Sequence, residues 1–385
     1  MDDAPAVVTV DTLLHRAFKQ NASDIHLEPT EKGLRVRMRC DGYLRDIASV
    51  LADYGHHVIG RIKVLARIDI AEKRIPQDGK FIVNGPHGDI DLRVATFPSL
   101  YGEKIVIRIL DRSHAILKLE ELGFESEMLT TLTHLMQRPH GFFIVTGPTG
   151  SGKSTTLYAL LLLIKTPEKN IVTLEDPVEY TIDGTTQGQV HPDIGFTFAC
   201  GLRALLRQDP DIMMVGEIRD TETAQIAIQA ALTGHLVLST LHTNNAPSAI
   251  IRLLDMGIEA FLINAVVSGI LAQRLVRILC KNCKRETPIT TQEAEYLRQH
   301  GVTITHAFTA SGCSACAQTG YRGRVGIFEL LPITEKLHSV ITHHASYDEL
   351  YKTAQAEGFK PMIHDAATKI EAGITSISEI MRVII

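Results

Sequence analysis

The sequence predicts an α/β protein in two parts: a small α+β domain over residues 1–112 and a larger α/β domain over residues 122–385, joined by a linker at 113–121. Three observations carry that reading. Short runs in the first part alternate apolar and polar residues with the period of a half-buried strand. In the second part, short and mainly apolar runs alternate with helical segments, the pattern of strands buried on both faces of a mainly parallel sheet. Between one such run and a helical segment lies a glycine-rich loop, residues 147–155.

The alternating runs are Asp24–Glu28, Leu34–Met38, Asp89–Val94 and Lys104–Leu110, with turns expected at Asp41-Gly42, Asp78-Gly79 and Gly85-Pro86. Tyr54–Ile70 has helical spacing. In the second part the strands are Phe142–Thr146, Ile171–Leu174, Ile212–Val215 and His235–Thr240. A cysteine-bearing insert at 278–324 follows, then a strand at Gly326–Leu331 and helices over 332–385. With 385 residues, 45% hydrophobic and 22% charged, the chain has material for two or three domains and is not a mainly disordered polymer. Its longest uncharged apolar run, Ala260–Ala272, has 13 residues, too few to cross a bilayer as a helix. The first residues, MDDAPAVV, lack the basic and apolar regions of a signal peptide, so a cytoplasmic location is expected.

The loop Gly147-Pro148-Thr149-Gly150-Ser151-Gly152-Lys153-Ser154-Thr155 follows an apolar strand and opens the helical run Thr156–Leu163. That frame is what phosphate binding requires. Glycines let successive backbone N–H groups turn toward the phosphates, and the helix N-terminus adds positive potential. Lys153 is placed to reach the β- and γ-phosphates, and Ser154 offers its hydroxyl to Mg²⁺. No Asn-Lys-x-Asp motif that would read guanine occurs, so ATP is the expected nucleotide.

Ligands of open α/β sheets gather at the carboxyl ends of the strands. One strand runs into Glu175-Asp176-Pro177-Val178-Glu179 and another into Gly216-Glu217. Nucleotide hydrolysis needs one acidic group near the metal and one that orients water. Glu217 is the first choice for orienting water, with Glu175 and Glu179 assisting. Solvated loop charge is the competing reading for each. A third strand end carries His242, either a γ-phosphate hydrogen-bond donor or a packing residue. Arg203 and Arg207, four apart, share a helix face, while Arg93 and Arg108 sit mid-strand in the first domain. An arginine that neutralises a transferring phosphoryl group can come from a neighbouring domain or subunit, and plain surface charge is the alternative.

Cys280-x2-Cys283 and Cys313-x2-Cys316 are separated by 29 residues. Four thiolates so spaced suit a tetrahedral structural Zn²⁺, with redox dithiols as the alternative. Cys40 and Cys200 are isolated. The net charge of −5, the 5% aromatic content and the absence of Trp argue against a nucleic-acid channel.

Taken together, these motifs resemble the secretion ATPases of type II secretion systems and the assembly ATPases of type IV pili. The matching stretches are Ser23–Pro29, Arg74–Gly79, Tyr101–Lys104, the phosphate loop, Leu174–Tyr180, Leu202–Asp220, Thr233–Asn244, Gln273–Leu275 and the four cysteines. The resemblance implies a PAS-like N-terminal domain followed by a RecA-like ATPase domain, assembled as a homo-hexamer with ATP between the two. It implies that Glu175–Glu179 is the aspartate box, Gly216-Glu217 closes the Walker B region, and His235–His242 belongs to the histidine box. It also implies that Arg93, Arg108, Arg203 and Arg207 approach the phosphates and that the cysteines form a zinc insert, which pilus retraction ATPases generally lack. The expected function is a Mg²⁺-dependent motor driving pseudopilin or pilin polymerisation. It would act peripherally at the inner membrane, with a membrane platform protein and the cytoplasmic domain of a second membrane protein as partners. A nucleic-acid translocating motor and a nucleotide-gated scaffold with little turnover are the rival readings. Two departures stand out. Many members carry a further N-terminal docking domain ahead of the PAS-like one, which this sequence is expected to lack, and Cys200 stands where an arginine is usual.

Overall fold

The computed structural model describes residues 4–85, 88–111, 117–343 and 346–384. The chain divides into two compact units, residues 1–115 and 116–385. Residues 113–116 of the expected linker lie outside the described residues, and Leu119–Leu122 forms a turn of 3₁₀ helix closed by Gly123 in the left-handed region.

The first unit is an antiparallel sheet of six strands: β1 Ala22–Thr30, β2 Gly33–Cys40, β3 Tyr43–Leu51, β4 Gln77–Gly85, β5 Gly88–Ser99 and β6 Gly102–Asp111. Their order is β3-β2-β1-β6-β5-β4. Alternation sends Ile25, Leu27, Val36, Met38, Leu92, Val94, Ile105 and Ile107 to one face. Helices Ala4–Lys19 and Ala52–Leu65 cover that face with Val10, Leu14, Val58 and Ile62. Polar partners take the other face: Arg37 pairs with Glu28 at 2.7 Å and Arg108 with Asp24 at 3.2 Å. The expected turn at Asp78-Gly79 is a correction, because both residues lie inside β4, paired with Ala95 and Val94. Gly79 is needed for close approach there, since a Cβ would stand 2.4 Å from the Ala66 carbonyl oxygen. Of the expected turn at Gly85-Pro86, Pro86 lies outside the described residues.

The second unit holds a seven-stranded sheet ordered β15-β12-β7-β11-β10-β8-β9. Its strands are β7 Gly141–Thr146, β8 Ile171–Glu175, β9 Thr186–Gln189, β10 Ile212–Val215, β11 Leu236–Leu241, β12 Val267–Leu279 and, from the far side of the insert, β15 Tyr321–Pro332. All neighbours are parallel except β12 and β15. The central strands β7, β8, β10 and β11 are buried at every position and mainly apolar because both faces are covered. Phe143, Val145, Ile212, Met214, Leu236 and Leu238 pack under helices Ser126–Met136 and Lys153–Ile164. Phe142, Ile144, Met213, Val215 and Val237 pack under Thr221–Leu232, Ala246–Asp255 and Ala260–Val266. The insert holds the antiparallel pair β13 Lys284–Thr287 and β14 Ala307–Ala310, with helix Thr291–Gln299 between them. Helices Glu335–Thr342, Tyr347–Ala356, Met362–Glu371 and Ile377–Val383 follow β15.

Candidate functional site

The glycine-rich loop leaves the end of β7 and enters helix Lys153–Ile164. Gly147 has φ 146°, and a Cβ there would lie 2.4 Å from the Gln273 carbonyl oxygen, so only glycine fits. Gly152 caps the helix in the left-handed region, φ 88°. The Lys153 ammonium donates to the carbonyls of Gly147 at 2.9 Å and Pro148 at 3.0 Å, folding the side chain onto its own loop. Burial lowers its pKa, and the nearby Glu217 charge works in the opposite sense. Pro148, Thr149, Gly150 and Ser154 are exposed along the rim, and Ser151 is buried beneath it.

Gln273 holds this loop from the neighbouring strand β12. Its amide N–H donates to the Ser151 carbonyl at 2.7 Å and its amide oxygen accepts from the Thr156 hydroxyl at 2.8 Å, with the residue only 2% exposed. Its place among matching motifs says nothing of this role. The available signal is an amide that directly follows the apolar run Ile270–Ala272.

The acidic candidates separate into two settings. Glu175 is 4% exposed and accepts from Tyr158, from Thr173 at 2.6 Å and from Gln187 at 3.0 Å. It is a buried hydrogen-bond hub behind the loop. Glu179 faces the phosphate loop, its carboxylate 3.5 Å from the Ser154 hydroxyl. Glu217 follows β10, forms an ion pair with Arg219 at 2.6 Å and lies within hydrogen-bond distance of the His242 ring at 3.3 Å. Burial pushes its pKa up, but the Arg219 hydrogen bond and charge, with His242, outweigh it and hold the carboxyl below its usual value. Arg219 is a residue that sequence reasoning missed, since one arginine in a polar loop carries no pattern. His242 stands at the end of β11, and the next residue, Thr243, donates its N–H to the Thr146 hydroxyl at 3.0 Å, tying that strand end to the end of β7.

The arginines are placed differently. Arg203 pairs with Glu222, and Arg207, past the end of helix Phe198–Leu205, donates to the Arg203 carbonyl at 3.0 Å. Arg93 and Arg108 belong to the first unit and lie directly opposite each other on β5 and β6, with Asp24 opposite Arg108 on β1.

In the insert, the sulfurs of Cys280, Cys283, Cys313 and Cys316 all lie within 4.8 Å of one another. Three of the pairs are 3.7, 3.8 and 3.9 Å apart. A tetrahedral thiolate site with bonds of about 2.3 Å has sulfur–sulfur edges of about 3.8 Å, so the four thiols fit such an ion. Burial pushes the Cys316 thiol up, but N–H groups of Cys313 and Gly320, each 3.2 Å away, and the neighbouring thiols bring it down to about 6.

Residues 1–382 match the family model for type II/IV secretion system proteins. The chain belongs to that family. It is 48% identical to type II secretion system protein E of Pseudomonas aeruginosa over 383 residues, 99% of this chain and 76% of that protein. Identity to type II secretion system ATPase E of Vibrio cholerae is also 48% over 383 residues, with the same shares. The pilus retraction motor PilT, solved with bound ADP, is 26% identical with a TM-score of 0.64, covering 96% of this chain and 95% of that one. The Legionella pneumophila ATPase DotB shares the fold, with a TM-score of 0.70 at 23% identity over 98% and 95%. This type II/IV secretion protein is accordingly a P-loop ATPase.

Proposed function

We propose that this secretion ATPase is a Mg²⁺-dependent homo-hexamer that powers assembly of a type II secretion pseudopilus or a type IV pilus at the inner membrane. One observation carries the catalytic part: the parallel sheet gathers the phosphate loop, Glu179, Glu217 and His242 at the same strand ends. Lys153 and the loop N–H groups bind the phosphates. Ser154 and Glu179 supply oxygen donors of the kind Mg²⁺ prefers, and the ion would neutralise phosphate charge. Glu217, kept ionised by Arg219 and His242, orients the attacking water. Glu175 supports the Glu179 loop from behind. Arg93, Arg108, Arg203 and Arg207 approach the phosphates once subunits and units are arranged as a ring, so hydrolysis removes the charge that bridges them. The four cysteines hold a structural Zn²⁺.

The first unit, with β1 central between two sets of antiparallel strands, is read as PAS-like, and the second as RecA-like. The names of the relatives support the secretion role, and the cysteine insert supports assembly over retraction. The protein then works on the cytoplasmic side of the membrane. A platform protein and a cytoplasmic domain of another membrane component are its partners. Glu217→Gln is the deciding variant. It is expected to bind ATP normally while phosphate release falls by 100-fold or more, on the order of an essential catalytic group. Release at the parent rate by a folded Glu217→Gln protein refutes the assignment.

A further inference from the structure

We propose that the Tyr158 hydroxyl sets the Glu179 carboxylate against Ser154, making Tyr158 a positioning residue for the metal side of the nucleotide site. The inference rests on the reading of Ser154 and Glu179 given above. Ser154 and Tyr158 are four residues apart on helix Lys153–Ile164 and share a helix face. Tyr158 is 1% exposed, and its phenol oxygen uses every hydrogen-bonding position it has. It accepts the backbone N–H of Glu179 at 3.1 Å and that of Tyr180 at 3.3 Å, and it donates to Glu175. The Tyr180 ring meets the Tyr158 ring edge-on, with centroids 5.6 Å apart and planes at 86°.

The other hydrogen bonds around this hub keep the phenol oriented. Thr173 and Gln187 hold Glu175, and Gln187 also donates to the Tyr180 carbonyl at 2.9 Å. The loop that carries Glu179 is therefore pinned at two successive N–H groups to the helix that carries Ser154. Both oxygen donors ride on one element: Ser154 through its own backbone and Glu179 through the Tyr158 oxygen. Loss of such an outer partner typically weakens metal binding by 10–100-fold.

Tyr158→Phe keeps the buried ring and removes only the oxygen. The full chain is titrated with a fluorescent ATP analogue, first in EDTA and then at fixed nucleotide with rising Mg²⁺. Nucleotide affinity in EDTA is expected to stay within about three-fold of the parent. The Mg²⁺ concentration giving half of the metal-dependent gain is expected to rise by about ten-fold or more. Glu179→Gln should raise it as well, and the double variant should go no further than the larger single one, because one group acts through the other. A normal Mg²⁺ requirement in Tyr158→Phe, with a raised one in Glu179→Gln, overturns the positioning role and leaves Glu179 in place. A normal requirement in Glu179→Gln overturns the reading of Glu179 itself. Equal loss in EDTA and in Mg²⁺ makes Tyr158 a prop for the whole helix and overturns the proposal. Should Tyr158→Phe not fold, Gln187→Leu loosens the same hub from the strand side. A Mg²⁺ requirement raised about three-fold supports the proposal, and an unchanged one overturns it.

Discussion

Replacing Gln273 by Met keeps length and approximate volume in the core but removes both hydrogen bonds to the phosphate loop. The Thr156 hydroxyl can turn back to the carbonyl four residues earlier, an ordinary bond for a helical threonine. The Ser151 carbonyl has no such recourse once the Gln273 N–H, now 2.7 Å away, is gone. A buried acceptor left unpaired costs about 1–3 kcal/mol. The loop can relieve that cost by moving toward solvent, at the expense of the shape that grips phosphate. The loss should therefore fall on nucleotide binding, and about 1–3 kcal/mol corresponds to roughly 5- to 150-fold in affinity. Titration with a fluorescent ATP analogue, together with steady-state phosphate release, measures it. The expected result is a Kd and KM for ATP raised by that factor, with kcat changed far less and the melting temperature lowered by only a few degrees. An affinity within two-fold of the parent, or a fall in kcat at constant KM, refutes the clamp.

Two further outcomes follow from the charges around the site and the insert. Arg219 holds the Glu217 pKa down, so Arg219→Ala lets it rise, and the acidic limb of the kcat/KM profile should move to higher pH. The same depression means that the Glu217 contribution to stability is present above its usual pKa and disappears as pH falls through the folded value. An acidic limb that does not move removes Arg219 from this role. Cys280→Ser leaves three thiolates and should release about one equivalent of Zn²⁺ per chain, read with a colorimetric chelator. It should also lower the melting temperature, and metal retention at the parent level would refute the tetrahedral site.

How much of this was legible beforehand depends on how far along the chain each group acts. The phosphate loop is contiguous, and its strand and helix carry apolar runs that no alternative period fits, so frame and motif were readable together. Glu217 and His242 were visible because each ends an apolar strand. Gln273 and Tyr158 were hidden for the opposite reason. Each acts across more than fifteen residues of chain, Gln273 from β12 and Tyr158 from inside an apolar helix, and only the folded sheet shows what they touch. The unanticipated strands β3 and β4 are the two edges of the first sheet, where one neighbour and partial burial leave a weak alternation. Gly79 misled because the freedom of glycine serves close packing there and not reversal of the chain.

Register explains why separate strand ends make one site. Thr146 on β7 is level with Leu241 on β11, so the next residues along, Gly147 and His242, emerge side by side. Val215 on β10 is level with Ser239 on β11 and with Leu174 on β8. Glu217 thus comes out two residues beyond Val215, beside His242 on one flank and the Glu175–Glu179 turn on the other. Parallel strands deliver all of these ends to the same edge, which an antiparallel arrangement of the same segments would scatter to both. The Glu217–His242 pair at 3.3 Å and the Thr243–Thr146 bond at 3.0 Å are direct products of that alignment. Because His242 and Thr243 are consecutive, the segment tied to Thr146 is the same one that carries the imidazole paired with Glu217. The strand ends therefore join the end of β7, where the phosphate loop starts, to Glu217, the residue proposed to orient water.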